Sequence, residues 1–186
     1  MSRAIQVRVS ESVVRTVHVE DGVQSPLEML PVLAKDRMAD LLAAELEEQG
    51  FVRDGKVARR KDPDGVVITV DLEAATVSVT IASEKKLDEK VNLETRVGIE
   101  SQKAAEDRLR DAAIGELEKR LEEKTEALRR EVTTKLEKKL GDLRQELDQA
   151  IGRATVNALT ERAQQLGKIE EVVQDDAGNV TIKVKL

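Results

Sequence analysis

Few side chains in this sequence could perform nucleophilic or transition-metal chemistry. His18 is the only histidine, it lies between Val17 and Val19 in a predicted strand, and the chain contains no cysteine. One imidazole without a second nitrogen or sulfur ligand does not complete a transition-metal site. His18 is also the only imidazole that could act as a general base for a serine nucleophile. We therefore assign no catalytic residue and no metal ligand.

Acidic side chains are the remaining candidates for chemistry. Residues 62–65 (DPDG) and 175–178 (DDAG) are rich in Asp and Gly, but both segments lack the further ligands of a calcium loop. Tight turns prefer the same residue types, so both segments are predicted to be turns. No glycine pattern matches a phosphate-binding loop, and no cofactor is expected. A carboxylate-based hydrolase is the weakest alternative, because no acid pair lies in an apolar setting that would separate two pKa values.

Composition limits the classes of partner. The 186 residues carry a net charge of −6 and only 1% aromatic residues, and the one basic cluster, residues 59–61, has no aromatic neighbour that could stack on a base. No apolar run is long enough to cross a membrane, and the first residues lack the apolar region of a signal peptide. We therefore expect a cytoplasmic protein that binds neither nucleic acid nor membrane.

The first 100 residues are predicted to form an α+β head domain. Alternating valines indicate two strands separated by a break at 10–12, and a capping box at 25–28 predicts a short helix. A second helix is predicted over 36–49, with Gly50 as its left-handed C-cap and Phe51 as the apolar residue after it.

Further strands follow in the head domain. Asp54-Gly55 and Asp64-Gly65 are strong turn signals, and β-branched runs predict strands over 66–72 and 76–82. A last strand is predicted to include Val91 and Ile99. These elements predict an antiparallel sheet covered by a helix.

Residues 101–166 contain no proline and are predicted to form a long charged helix with one apolar stripe. The stripe recurs in steps of four, four and three residues, which favours a straight helix over a left-handed supercoil. Thr125 and Lys139 interrupt it. We predict that this stripe mediates association; its main members are Leu117, Leu121, Leu128, Val132, Leu136, Leu143, Leu147 and Ala154.

The course of this helix has two alternatives. It either continues past Gly141 as a coiled-coil-like rod, or it breaks there and folds back as a helical hairpin. Residues 167–186 are predicted to form a C-terminal β-hairpin, and a two-stranded hairpin alone is marginal in water. If the helix is continuous, we expect the hairpin and the stripe to be covered by another copy, which makes the protein a homo-oligomer. The predicted domains are 1–100, 101–166 and 167–186.

Several segments together resemble a known family. The strands at 3–9 and 12–21, the segment SPLEMLPVLAKDRMADLLAAELEEQGF at 25–51, the Asp54-Gly55 turn and the closing segment 167–186 resemble accessory proteins of bacterial FtsH ternary systems. These systems are gene neighbourhoods built around an AAA+ ATPase and thought to act in conflict or defence. The resemblance includes no catalytic signature. It implies a non-enzymatic component that works beside an ATPase.

The leading hypothesis is therefore a non-enzymatic structural or adaptor protein that self-associates through the long helix and the terminal hairpin. The alternative is a direct regulator or substrate adaptor of an AAA+ ATPase.

Overall fold

The computed structural model describes residues 4–98, 101–174 and 180–185. Five strands form one sheet in the order β1-β5-β4-β3-β2, and β6 and β7 form a separate two-stranded antiparallel sheet. This architecture confirms the predicted α+β class, with an antiparallel sheet, a covering helix, a long helix and a C-terminal β-hairpin. In chain order the elements are β1 (Ala4–Pro26), α1 (Lys35–Glu48), β2 (Val52–Asp54), β3 (Val57–Lys61), β4 (Val66–Asp71), β5 (Thr76–Gly98), α2 (Gln102–Leu166), β6 (Lys168–Gln174) and β7 (Val180–Lys185).

The described residues belong to two compact units. Unit 1 draws on Met1–Glu20 and Ala82–Thr134, and unit 2 draws on Asp21–Ile81 and Lys135–Leu186. The boundaries predicted at residues 100 and 166 follow chain order, whereas each compact unit combines strands with a part of α2.

Unit 1 consists of two strand segments packed on the first half of α2. Val9 of β1, Val91 of β5, and Ala113 and Leu117 of α2 form its buried cluster. Buried residues alternate with exposed ones along both strands, so one face of the strand pair contacts the helix.

The strands of unit 1 are longer than predicted. The break expected at residues 10–12 does not exist, because β1 is continuous. Glu11 lies on its helix-facing side and accepts a hydrogen bond from Arg110 Nε at 3.0 Å. β5 is likewise one strand instead of two. Its helix-facing Glu89 is only 8% exposed and is paired with Lys124 of α2. Ile99, placed in the predicted last strand, lies outside the described residues.

Unit 2 packs α1 and the second half of α2 with the remaining strands. Met38, Leu42 and Leu46 recur every four residues and bury one face of α1. Gly50 follows with φ +84°, and the Phe51 amide donates to the Leu46 carbonyl at 3.0 Å. The predicted C-cap is thereby confirmed.

The short helix predicted at residues 25–28 is absent. β1 instead continues to Pro26, and the Leu27 amide donates to the Ala75 carbonyl at 2.7 Å. The residue before a proline favours an extended backbone, and here that preference, together with strand pairing, outweighs the capping pattern.

α2 is a single helix of 65 residues, so the fold-back alternative is wrong. Gly141 is helical, although a glycine inside a helix costs about 1 kcal/mol relative to alanine. Leu136 and Leu143, on either side of it, are both buried in unit 2, and this packing holds the helix through the glycine.

The apolar stripe of α2 is buried within the single chain. The sequence predicts shorter strands than β1 and β5, and we therefore expected another copy to cover the stripe. In unit 1, strand segments of roughly 17 residues span about 56 Å, and the roughly 33 helical residues span about 50 Å, so the strands can cover the helix. A role for the stripe in association stays a prediction. All eight predicted members are buried: Leu117, Leu121, Leu128, Val132, Leu136, Leu143, Leu147 and Ala154.

Because the stripe is core, truncating it should lower stability without changing mass. Leu143→Ala, at a side chain that is 2% exposed, is expected to lower the free energy of unfolding by about 2–5 kcal/mol. Leu166→Ala, at 60% exposure on the same helix, should change it by less than about 0.5 kcal/mol. Urea unfolding measures both. A Leu143→Ala protein of unchanged stability but smaller particle mass would mean that the stripe serves association instead.

Candidate binding groove

The two described candidates for chemistry belong to different units, His18 to unit 1 and residues 62–65 to unit 2. His18 is exposed on β1. Residues 62–65 form the predicted turn, in which the Asp62 amide donates to the Val66 carbonyl at 2.9 Å and Gly65 has φ +87°. The acidic turn predicted at 175–178 lies outside the described residues. Within the described ranges, no group of three or more metal-ligating side chains is close enough to hold an ion.

Unit 2 contains a groove of about 410 Å³ between α2 and the sheet. Its floor is made by Val77 and Val79 of β5 and by Leu143 and Leu147 of α2, all of them buried. The alternation of β5 and the one-turn spacing of α2 direct these four side chains toward each other. Both floor leucines belong to the predicted stripe. The floor is therefore apolar and built from regular elements.

The walls of the groove expose further apolar groups beside charges of both signs. Val23 of β1 is 40% exposed, and Ile151 of α2 is half-buried. Arg144, Asp148 and Glu28 also line the groove. An apolar floor with a mixed charged margin suits the side chains of another protein, where apolar groups give contact area and charges set orientation.

A cluster of charges joins α2 to the sheet in unit 2. Arg60 Nε donates to the Asp62 carboxylate at 2.9 Å, and Arg60 Nη2 donates to Glu146 of α2 at 2.8 Å. The Arg60 guanidinium also lies over the Phe51 ring, 4.7 Å from its centre. Lys139 of α2 forms a salt bridge with the other oxygen of Asp62. The basic cluster at 59–61 is thus divided, because its middle arginine is turned inward and used in packing.

The charges of this cluster shift two pKa values. Burial by itself raises the pKa of Asp62, but the hydrogen bond from Lys139 and the positive charge of Arg60 outweigh it and hold the pKa below its usual value. The hydrogen bond to Asp62 raises the pKa of Lys139, against the opposing effect of burial. Both groups are therefore held in their charged forms.

A second ion pair joins α1 to α2. Glu45 is 7% exposed and accepts hydrogen bonds from Arg153 Nε at 2.5 Å and Asn157 Nδ2 at 2.9 Å. Closer to the end of α1, Gln49 Nε2 donates to the Glu146 carbonyl at 3.1 Å. These contacts fix the helix that forms one wall of the groove.

The groove was not predicted from the sequence. The charge cluster was not predicted either, but one residue, Lys139, indicates it. Lys139 interrupts the apolar stripe, and a base on a buried face requires an acid. Asp62 is such an acid, but tight turns also prefer aspartate, so the turn at 62–65 accounts for this residue without a partner on α2. The groove combines Val23 with residues more than a hundred positions away, which no local pattern reveals.

Replacing Asp62 should make stability less dependent on pH. A depressed folded-state pKa contributes stability above the unfolded pKa of about 3.9, and this contribution is lost as pH falls through the folded value. Asp62→Asn should therefore lower the free energy of unfolding at pH 7 by about 1.5–3 kcal/mol, and the difference from the unmodified chain should shrink below pH 4. Denaturant unfolding between pH 7 and pH 3 measures this.

The exposed Asp64 in the same turn provides the control. Asp64→Asn should leave stability within about 0.5 kcal/mol at both pH values. A constant difference between the Asp62→Asn protein and the unmodified chain across the pH range would contradict the ionic role of Asp62.

Comparison with known proteins assigns the chain to a family. No curated protein and no solved structure matches it. None of the helices in the described ranges combines the length and apolar character needed to cross a bilayer. One family model, FtsH ternary system domain X5, matches residues 1–186. Because this match covers all 186 residues, the chain belongs to the FtsH ternary system domain X5 family.

Proposed function

We propose that this chain is a non-catalytic accessory component of its FtsH ternary system, and that it acts as an adaptor by holding a partner protein in the groove of unit 2. The family supports the accessory role. The observation that carries the proposal is the groove itself, with an apolar floor, an accessible apolar wall and charges of both signs at its margin.

The ion pairs of unit 2 favour a role in binding over a role in catalysis. Glu45, Asp62 and Glu146, which are charged residues of unit 2 near its helices, are engaged by bases in packing contacts. Ion pairs that lock the elements around a groove keep it preformed, and a preformed site loses less entropy on binding.

The partner that best fits the proposal is the AAA+ ATPase of the system or a segment delivered to it. An apolar segment flanked by charges would bury its apolar side chains on Leu143 and Leu147 and pair with Arg144 and Asp148. Direct regulation of the ATPase is the alternative form of this function. Binding with unchanged ATP turnover favours an adaptor, and binding with altered turnover favours a regulator.

Self-association was also predicted, through the stripe and through residues 167–186. The stripe is covered by the chain itself, as described above. The terminal hairpin keeps Val172 and Val173 nearly half exposed, so of these two surfaces it is the one with accessible apolar groups. Association through the hairpin stays a prediction.

A charge placed in the groove should weaken partner binding. Ile151→Asp is expected to reduce capture of the ATPase of the same system by the full chain at least tenfold, because the carboxylate would be buried against an apolar segment. Val23→Asp, on the opposite wall, should act in the same direction. Binding is measured with purified components, together with ATP turnover.

Ile114→Asp provides the matched control, since it places the same charge on the same helix at an exposed position in unit 1. It should bind like the unmodified chain, and circular dichroism should show equal helix content in all variants. Full binding by both groove variants would rule out the groove as the binding site.

A further inference from the structure

The two edges of the five-stranded sheet are built differently. β2, at one edge, contains three residues, whereas β1, at the other edge, contains 23. An edge strand presents unpaired backbone N–H and C=O groups, and proteins usually protect such edges with short strands, lysine, proline or bulges. Residues 5–20 of β1 contain no lysine, proline or glycine. This long edge is therefore neither short nor protected by lysine or proline, and its inward-facing Glu11 is already paired with Arg110 of the same chain.

The part of β1 in unit 1 carries a regular exposed series. Side chains at even positions from 6 to 20 are all exposed, while Val7, Val9 and Val19 are buried on the other face. Val14 is the one large apolar residue in the exposed series, and it is 56% exposed. The charged members are Arg8 and Glu20, six residues on either side of Val14.

This spacing is self-complementary. If two β1 strands pair antiparallel with Val14 facing its own copy, Arg8 faces Glu20, Ser10 faces His18 and Ser12 faces Thr16. Opposite charges directly across a strand pair stabilise it, and like charges destabilise it. Centring the pair on Glu11 or on Arg15 would set like charges against each other.

A register centred on Val13 is the main competitor, because it sets Glu11 against Arg15. Glu11 faces the helix in its own chain and already accepts a hydrogen bond from Arg110. That register also leaves Glu20 opposite Gln6, with no charge partner. The Val14 register uses only side chains of the exposed face for its charge pairs.

We propose that two copies of this chain pair antiparallel along β1, from Arg8 to Glu20, with Val14 on the two-fold axis. Each copy contributes about 13 residues, or about 44 Å of strand. Arg8 keeps enough freedom to reach a second acid, because its salt bridge to Glu94 of the same chain is well exposed to solvent at both ends. The occupant of the edge is thus a second copy, and the interface is isologous.

The absence of cysteine from the sequence allows a direct test of the register. Val14→Cys places one thiol per chain on the axis, where facing side chains of an antiparallel pair approach within disulfide distance. Mild oxidation of the full chain should give a covalent dimer. His18→Cys should give none, because identical residues four positions from the axis lie roughly 27 Å apart. A mixture of Ser12→Cys and Thr16→Cys proteins should crosslink, and neither protein should do so alone.

Charge reversal tests the same interface without a covalent bond. Arg8→Glu should weaken the dimer at least tenfold in sedimentation equilibrium, and Arg8→Glu combined with Glu20→Arg should restore it. The double variant does not restore the salt bridge to Glu94. Recovery of the dimer would therefore show that positions 8 and 20 contact each other between copies. Removal of residues 168–186 should leave the dimer intact.

Four results would overturn the proposal. They are equal crosslinking at positions 14 and 18, a monomer at about 100 μM, no recovery in the double variant, and a dimer that is lost only when residues 168–186 are removed. Crosslinking of Val14→Cys protein to a different protein of the system, without homodimer, would also overturn it and would assign the edge to a foreign strand.

Discussion

The structure depends on covering one continuous apolar stripe along α2. Most helical stability in proteins comes from packing of an apolar face, and the 65-residue α2 carries such a face along its length. Each unit covers its own part of the stripe. Two long strand segments cover the first part of the stripe, and the sheet together with α1 covers the second part. In unit 1 the segments of β1 and β5 are long enough to span the helical segment that they cover.

The covered face is also held by a recurring arrangement of charges. In four places an acid on a strand, a turn or α1 is paired with a base on α2: Glu11 with Arg110, Glu89 with Lys124, Asp62 with Lys139, and Glu45 with Arg153. Aliphatic contacts along a stripe tolerate sliding by a turn, whereas each of these pairs is satisfied in one register only. We infer that the pairs set the alignment of α2 in each unit, while the apolar stripe supplies most of the stability.

The same charges explain what the sequence could and could not predict. The fold class, α1 with its Gly50 cap, the turns at 54–55 and 64–65 and the terminal hairpin follow local patterns, and all were predicted. The full length of β1 and β5 was missed because Glu11 and Glu89 interrupt the alternation of buried residues. Their partners lie on a distant helix, so no local rule identifies them as inward-facing. Shorter strands could not cover the stripe within one chain, which is why the local patterns favour an external partner.

Two exposed features suit the accessory role proposed for this chain in its FtsH ternary system. Charged residues make up 37% of the sequence, and in both units several of them are used to align α2 with the elements it contacts. The groove of unit 2 and the edge of β1 differ from these paired surfaces, because each presents groups that the chain leaves partly exposed: apolar side chains in one case, backbone hydrogen-bonding groups in the other. They also differ from each other in the chemistry they can recognise. As proposed, the groove would select by side-chain shape and charge, and the edge would select by strand register.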